Sequence, residues 1–169
     1  MDTFEAILTR RSIRQFTDQI IDEETQKKLL QSAMQAPSAR NTQAWQFVII
    51  DNRQTLLNIS NIHPYADMLK QAPLAITVCG DFQLEESVDY LALNCAAVTE
   101  NILLAAHSFG LGAVWLAIYP RKKRIKDVRE ILDLPDDIIP ISMVAVGHKK
   151  DPKGFVDRYN PEKIHYNQW

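Results

Sequence analysis

The stretch VDYLALNCAAVTENILLAAHSF, residues 88–109, decides the fold class. Its apolar residues recur at helical spacing, and they do so over more than one stripe, so this helix is covered on several sides. Gly110 follows it as a stop signal. Around it lie four runs of strand character: AWQFVII (44–50), LAITVCG (74–80), AVWLAIY (113–119) and IIPISMVAVGH (138–148). They are rich in β-branched and aromatic residues. Pro140 limits the early ladder bonds of the last run. Helices and strands alternate irregularly, which places the chain in the α+β or α/β class with one central sheet.

The remaining elements follow outward from that core. Residues 2–10 read as a short amphipathic helix with Phe4, Ile7 and Leu8 on one side. Asp22 caps a helix over EETQKKLLQSAMQA (23–36), with Leu29, Leu30, Ala33 and Met34 on its apolar face and Pro37 as its stop. The polar loop PSARNTQ (37–43) leads into the first strand. Asp51 and Asn52 open a helix whose face is Leu56, Leu57, Ile59 and Ile62. Pro64 suits the first turn of another helix, ending near Gln71. RKKRIKDVREIL (121–132) is amphipathic, with Ile125, Val128, Ile131 and Leu132 inward. The tail KKDPKGFVDRYNPEKIHYNQW (149–169) has no core of its own. Yet it carries Phe155, Tyr159, Ile164, Tyr166 and Trp169, so it is expected to lie across another surface, a second subunit included. Residues 1–169 are read as one domain.

Composition narrows the function. Apolar residues make up 46% and charged residues 24%, an ordinary globular mixture. A net charge of −2 argues against a life on nucleic acid or anionic lipid. The basic run RKKR (121–124) is accordingly read as a solvated helix start. Cys79 and Cys95 sit in apolar stretches and read as buried free thiols. MDTFEAILTRRS lacks the pattern of a signal peptide, and no apolar run reaches the roughly 18 residues of a membrane span. The expected setting is the cytoplasm, with no membrane partner. Neither GxGxxG nor GxxxxGK[ST] occurs, and GLGAVW (110–115) fails the spacing. The histidines at 63, 107, 148 and 165 form no zinc motif, and His107 reads as a packed or capping residue. There is no GxSxG elbow. These absences fit an enzyme whose chemistry belongs to a bound cofactor.

Two segments remain. RRSIRQF (10–16) crowds three arginines and a serine, which is unfavourable unless an anion sits nearby. Guanidinium groups match phosphate oxygens in bidentate fashion, and a hydroxyl adds a donor. A solvated helix end, where basic residues suit the dipole, is the other reading. On a helix Arg10 and Arg14 would share a face and Arg11 would point elsewhere. In PSARNTQAW (37–45), Ser38, Asn41 and Gln43 can read the edge of a flat polar ring. An ordinary helix-to-strand loop is the alternative.

Taken in order, RRSIRQF, PSARNTQAW, GLGAVWLAIYP, AVGHKK and DRYNPEKIHYNQW resemble the nitroreductase family across essentially the whole chain. The resemblance implies an α+β fold with a mainly antiparallel central sheet flanked by helices, and a C-terminal tail extending onto a partner subunit. It implies bound FMN and NAD(P)H as electron donor, with nitroaromatics, quinones or similar acceptors reduced in a ping-pong sequence. No side chain need be an obligatory acid or base. Arg10 and Ser12, with Arg11 close by, would hold the phosphate side. Arg14 would reach the pyrimidine end of the ring and raise its reduction potential. Pro37, Ser38, Asn41 and Gln43 would complete the pocket of the other subunit of a homodimer. Trp115, Leu116 and Ala117 would line the ring, with a backbone N–H near 117 or 118 facing flavin N5. Gly147, Lys149 or Lys150, and Arg158 would add to the phosphate side. Many relatives have proline at the position of Ala44 and glycine at that of Ala117, and the methyl of Ala117 bears on substrate access. A non-catalytic FMN or nucleotide-binding sensor or carrier, a flavinless anion-binding interaction protein and a member with a specialised substrate (a dehalogenase or flavin reductase) are the alternatives.

Overall fold

A computed structural model describes residues 1–151 and 153–169. Its centre is an antiparallel sheet of β1 (Trp45–Ile50), β2 (Leu74–Asp81), β3 (Gly112–Ala117) and β4 (Ile138–Gly147), in the spatial order β1-β2-β4-β3. β2 and β4 are the inner strands. Seven consecutive residues of β2, Leu74–Gly80, are buried, as expected of a strand covered on both faces. Pro140 donates no ladder bond, and the register between β2 and β4 shifts beside it, between Val78 and Cys79.

Among the described residues five α-helices flank the sheet: α1 (Thr3–Thr9), α2 (Glu23–Ala33), α3 (Arg53–Ile62), α4 (Val88–Ser108) and α5 (Lys122–Leu132). α4 is the 88–109 stretch, capped by Ser87. It packs on β2, β3 and β4 and against α2. By length and composition alone α4 could cross a membrane; here Leu91, Cys95, Val98, Ile102 and Ala106 are fully buried in the protein. A buried hydroxyl pair, Thr99 Oγ1 and Ser142 Oγ at 2.7 Å, ties α4 to β4. The other face of the sheet carries α3 and α5 over Leu56, Ile59, Val114, Leu116, Val128 and Met143. Both cysteines are buried free thiols, and burial pushes each up to about 12.

The structure corrects four sequence expectations. Pro64–Gln71 holds a 3-10 turn, Asp67–Lys70, in place of an α-helix. α2 ends at Ala33, and Met34 beyond it is exposed. α1 buries Ala6, while Phe4, Ile7 and Leu8 stay exposed, because the stripe they form points away from this chain's core. Lastly, Arg10 closes α1, so Arg10 and Arg14 share no helical face.

Residues beyond Arg10 are extended. Ser12 bridges Ala113 in parallel, Ile13 N–H donates to Ala113 O at 3.0 Å, and Thr17 N–H donates to His148 O at 2.9 Å. This segment passes the outer edge of β3 and crosses the end of β4. Two glycines that face each other in the ladder, Gly112 and Gly147, make room for it. A Cβ at Gly112 would lie 2.7 Å from Ile13 Cγ2, and one at Gly147 would lie 2.8 Å from Phe16 Cδ1.

Candidate active site

The ladder explains why the edge of β3 is chemically open. Ile13 bonds to Ala113, so Ala113 directs its peptide groups away from β4. By alternation Trp115 and Ala117 do the same. Ile118 points inward and donates to Ile141 O at 3.2 Å. Of the two N–H groups at 117 and 118, that of Ala117 therefore faces outward.

One end of this edge is basic. Burial holds the His107 imidazole below its ordinary pKa, helped by the positive charges of Lys149, Arg10 and Arg11. Lys149 is bridged to Phe16, at the far end of the arginine segment. Thr9 Oγ1 and His107 Nε2 are hydrogen-bonded at 2.8 Å. Arg10 Nε pairs with Glu100 at 3.3 Å. Arg11 donates to Leu8 O at 3.0 Å and to Val156 O at 3.2 Å, and lies 5.9 Å over the Phe155 ring, which pins the start of the tail. Its Nε is buried and has no partner among the described residues. Lys150 joins only through its backbone, N–H to Gln15 O at 3.1 Å. Arg158 is exposed on the tail. The described residues bring it to none of these groups.

The other end is a cavity of about 530 Å³ lined by Arg14, Trp115, Leu116 and Ala117 on one side and by His63, Tyr65, Asp67, Met68 and Arg124 on the rest. Ala117 O accepts from His63 Nε2–H at 2.9 Å and from Arg124 Nη1 at 2.9 Å. Tyr65 N–H donates to His63 Nδ1 at 3.2 Å, which fixes the tautomer. Burial lowers the His63 pKa, the bond to Ala117 opposes that, and the Arg124 charge lowers it further. Sequence reading missed His63, Tyr65 and Arg124. Around His63 only Pro64 carries a local signal, that of a helix start, and Arg124 lies in a run that reads as solvated charge.

Pro37, Ser38, Asn41 and Gln43 lie elsewhere. Their loop enters β1, the opposite edge of the sheet from β3. Three strand spacings separate the two edges, roughly 14 Å. The loop is strained and held. Arg40, Asn41 and Gln43 have left-handed φ of 53°, 55° and 48°. Non-glycine residues there cost about 1 kcal/mol each or more. Arg40 Nη2 bonds both Glu85 oxygens at 2.7 Å, Ala39 N–H donates to Asn94 Oδ1 at 3.0 Å, and Gln43 N–H donates to Ser38 Oγ at 3.0 Å. The Arg40 contact holds the buried Glu85 carboxyl below its usual range, with help from Ser87 N–H. Gln43 Nε2 reaches Asn41 Oδ1 at 2.9 Å, so the two amides stand side by side at the loop surface.

The profile of the family described as "Nitroreductase family" matches residues 7–148, from within α1 to the end of β4. This chain belongs to the nitroreductase family. It is 42% identical to a protein of Methanothermobacter thermautotrophicus provisionally named NADH dehydrogenase/NAD(P)H nitroreductase, over all of this chain and 88% of that one. The crystal structure of a Parabacteroides distasonis protein of the same provisional name superposes with a TM-score of 0.95 at 41% identity, covering 99% of this chain and 98% of that one. An FMN-dependent nitroreductase of Clostridium difficile superposes at 0.91 with 27% identity, covering 98% and 99%. The expected α+β nitroreductase fold with an antiparallel sheet is the one observed. The family match spans both the RRSIR segment and the β3 edge, the two parts of the nitroreductase chain that meet here.

Proposed function

We propose that the protein is an FMN-dependent NAD(P)H oxidoreductase that reduces electron-poor acceptors such as nitroaromatics or quinones, acting in the cytoplasm as a homodimer. The observation that carries this reading is the open edge of β3. There the arginine segment, an outward Ala117 N–H and an apolar wall line one continuous edge. The donor set suits FMN. Arg11 Nε is an orphaned buried donor at the basic end, and no carboxylate pairs with Arg14 among the described residues.

Bound FMN would supply two-electron redox chemistry between NAD(P)H and the acceptor. Around it the chain's own residues have separate tasks. Arg10, Arg11, Ser12 and Lys149 hold the phosphate, with Lys149 preferred to Lys150 because it is bridged to Phe16 of the arginine segment. Arg158, exposed on the tail and apart from these groups, is left out of that set. Gly147 acts indirectly, by leaving room for Phe16 and so for the segment that carries the arginines. Arg14, which lines the cavity, would place positive charge at the pyrimidine edge. Trp115, Leu116 and Ala117 would form the wall, and the outward Ala117 N–H would be the donor offered to the ring. Pro37, Ser38, Asn41 and Gln43 serve the partner's pocket, since their own chain holds them a sheet's width from β3.

The test is the visible spectrum of the purified protein, taken before and after NADH or NADPH without oxygen. A flavin band that bleaches, and returns when a quinone is added, is expected. A band that persists with both donors favours the non-catalytic carrier. Failure to take up FMN sinks the reading. Arg14→Ala should lower the flavin's reduction potential and slow its reduction by NAD(P)H; an unchanged potential would remove Arg14 from that role.

A further inference from the structure

Arg124 is the least expected member of the cavity. It comes from the first turn of α5, in a run with every appearance of solvated charge. Yet it is half-buried and donates Nη1 to Ala117 O at 2.9 Å. Its guanidinium carbon lies 5.5 Å from the Tyr65 ring centroid. The contact with the Tyr65 ring and the backbone bond hold the planar fork in one place, so less freedom is lost when its remaining donors engage a ligand. No carboxylate pairs with it among the described residues. The acidic side chain that shares the cavity, Asp67, is paired with Lys70 at 2.6 Å. His63 is neutral in the tautomer shown by its two bonds. The rim beside Ala117 therefore presents net positive charge beyond what Arg14 brings.

We infer that Arg124 determines specificity, binding a carboxylate or phosphate carried by the reactant that docks against the cavity rim. The inference rests on the proposed oxidoreductase function and adds the class of reactant. Arg124 matches a planar anion in bidentate fashion, a geometry that lysine cannot reproduce. Its bond to Ala117 O links anion binding to the same residue whose outward N–H would face the reacting ring.

The experiment uses flavin-loaded wild type, Arg124→Gln and Arg124→Lys. Benzoate and benzamide, of equal shape and different charge, are titrated against the visible flavin band. The wild type is expected to bind benzoate more tightly than benzamide, and Arg124→Gln to lose about tenfold or more of that preference. Arg124→Lys should recover only part of it. Turnover with 4-nitrobenzoate against nitrobenzene, and reduction by NADPH against NADH, then locate the anion. A fall in the nitrobenzoate preference places it on the acceptor, and a fall in the NADPH preference places it on the donor's phosphate. Equal losses for charged and neutral ligands would overturn the inference and leave Arg124 as a support for Ala117. Unchanged preferences would overturn it too. Wild-type turnover of nitrobenzene keeps these outcomes separate from the function itself, because a wild type that reduces no acceptor removes both readings.

Discussion

At the scale of one residue, His63 has work that only a neutral ring can do. Nδ1 accepts from Tyr65 N–H while Nε2–H donates to Ala117 O. A second proton would turn Nδ1 into a donor facing a donor. Burial and the nearby Arg124 charge keep the folded pKa below the ordinary 6.5, against the pull of the Ala117 bond. The sign of the linkage follows. Between the folded and unfolded values the unfolded chain binds more protons, so stability rises with pH across that window. The contribution of His63 is complete above pH 6.5 and is lost as pH falls through 6.5 towards the folded value. In an NMR titration the His63 ring should show a midpoint below 6.5, and His63→Gln should flatten the acid-side loss of stability measured by urea unfolding. A midpoint at 6.5 or above would mean that the ring is not held neutral. None of this was legible in NIHPY, because a histidine's partners come from chain distant in sequence.

The element that most depends on the rest is the extended segment 10–17. Its chemistry could be read directly: three arginines and a serine ask for an anion. Its conformation could not, since basic residues after a helix look like a helix end. What makes it extended is the β3 edge, and what lets it close on that edge is a missing Cβ at Gly112. That glycine belongs to GLGAVW, which fails as a nucleotide motif and offers no other local signal. Gly112→Ala would set a methyl 2.7 Å from Ile13 Cγ2 and 2.9 Å from Ile13 Cβ. Overpacking of this kind costs about 1–3 kcal/mol. FMN affinity should fall with it, because Ser12 and Arg14 flank Ile13. In a double-mutant cycle with Ile13→Ala the combined loss should be smaller than the sum of the single losses. Additive losses would show that the two sites do not press on one another. The strands themselves were legible, since β-branched runs between turn residues mark them and burial on both faces makes them continuous. Pro64–Gln71 was not, because a proline that suits a helix start also suits a short 3-10 turn, and only packing decides.

For the whole molecule, the apolar long helix and the aromatic tail both ask for more cover than the single chain gives. Leu93 on α4 remains 66% exposed, and Phe4, Ile7 and Leu8 of α1 are exposed as well. The positions of the two segments proposed to meet the ring give the sharper argument. RRSIR lies along β3 and PSARNTQ at β1, on opposite edges of one sheet. A flat ring cannot touch both in one chain, whereas a twofold axis can bring the loop of each subunit to the β3 edge of the other. Complementation tests this without an interface mutation. Arg14→Ala should bind FMN weakly, and so should the double variant Asn41→Ala/Gln43→Ala. When the two are unfolded together and refolded, half of the dimers formed at random are mixed. In a mixed dimer one pocket collects both defects and the other collects none. About a quarter of all pockets should therefore regain wild-type affinity and turnover. If each pocket drew both segments from its own chain, every pocket would keep one defect and mixing would restore nothing.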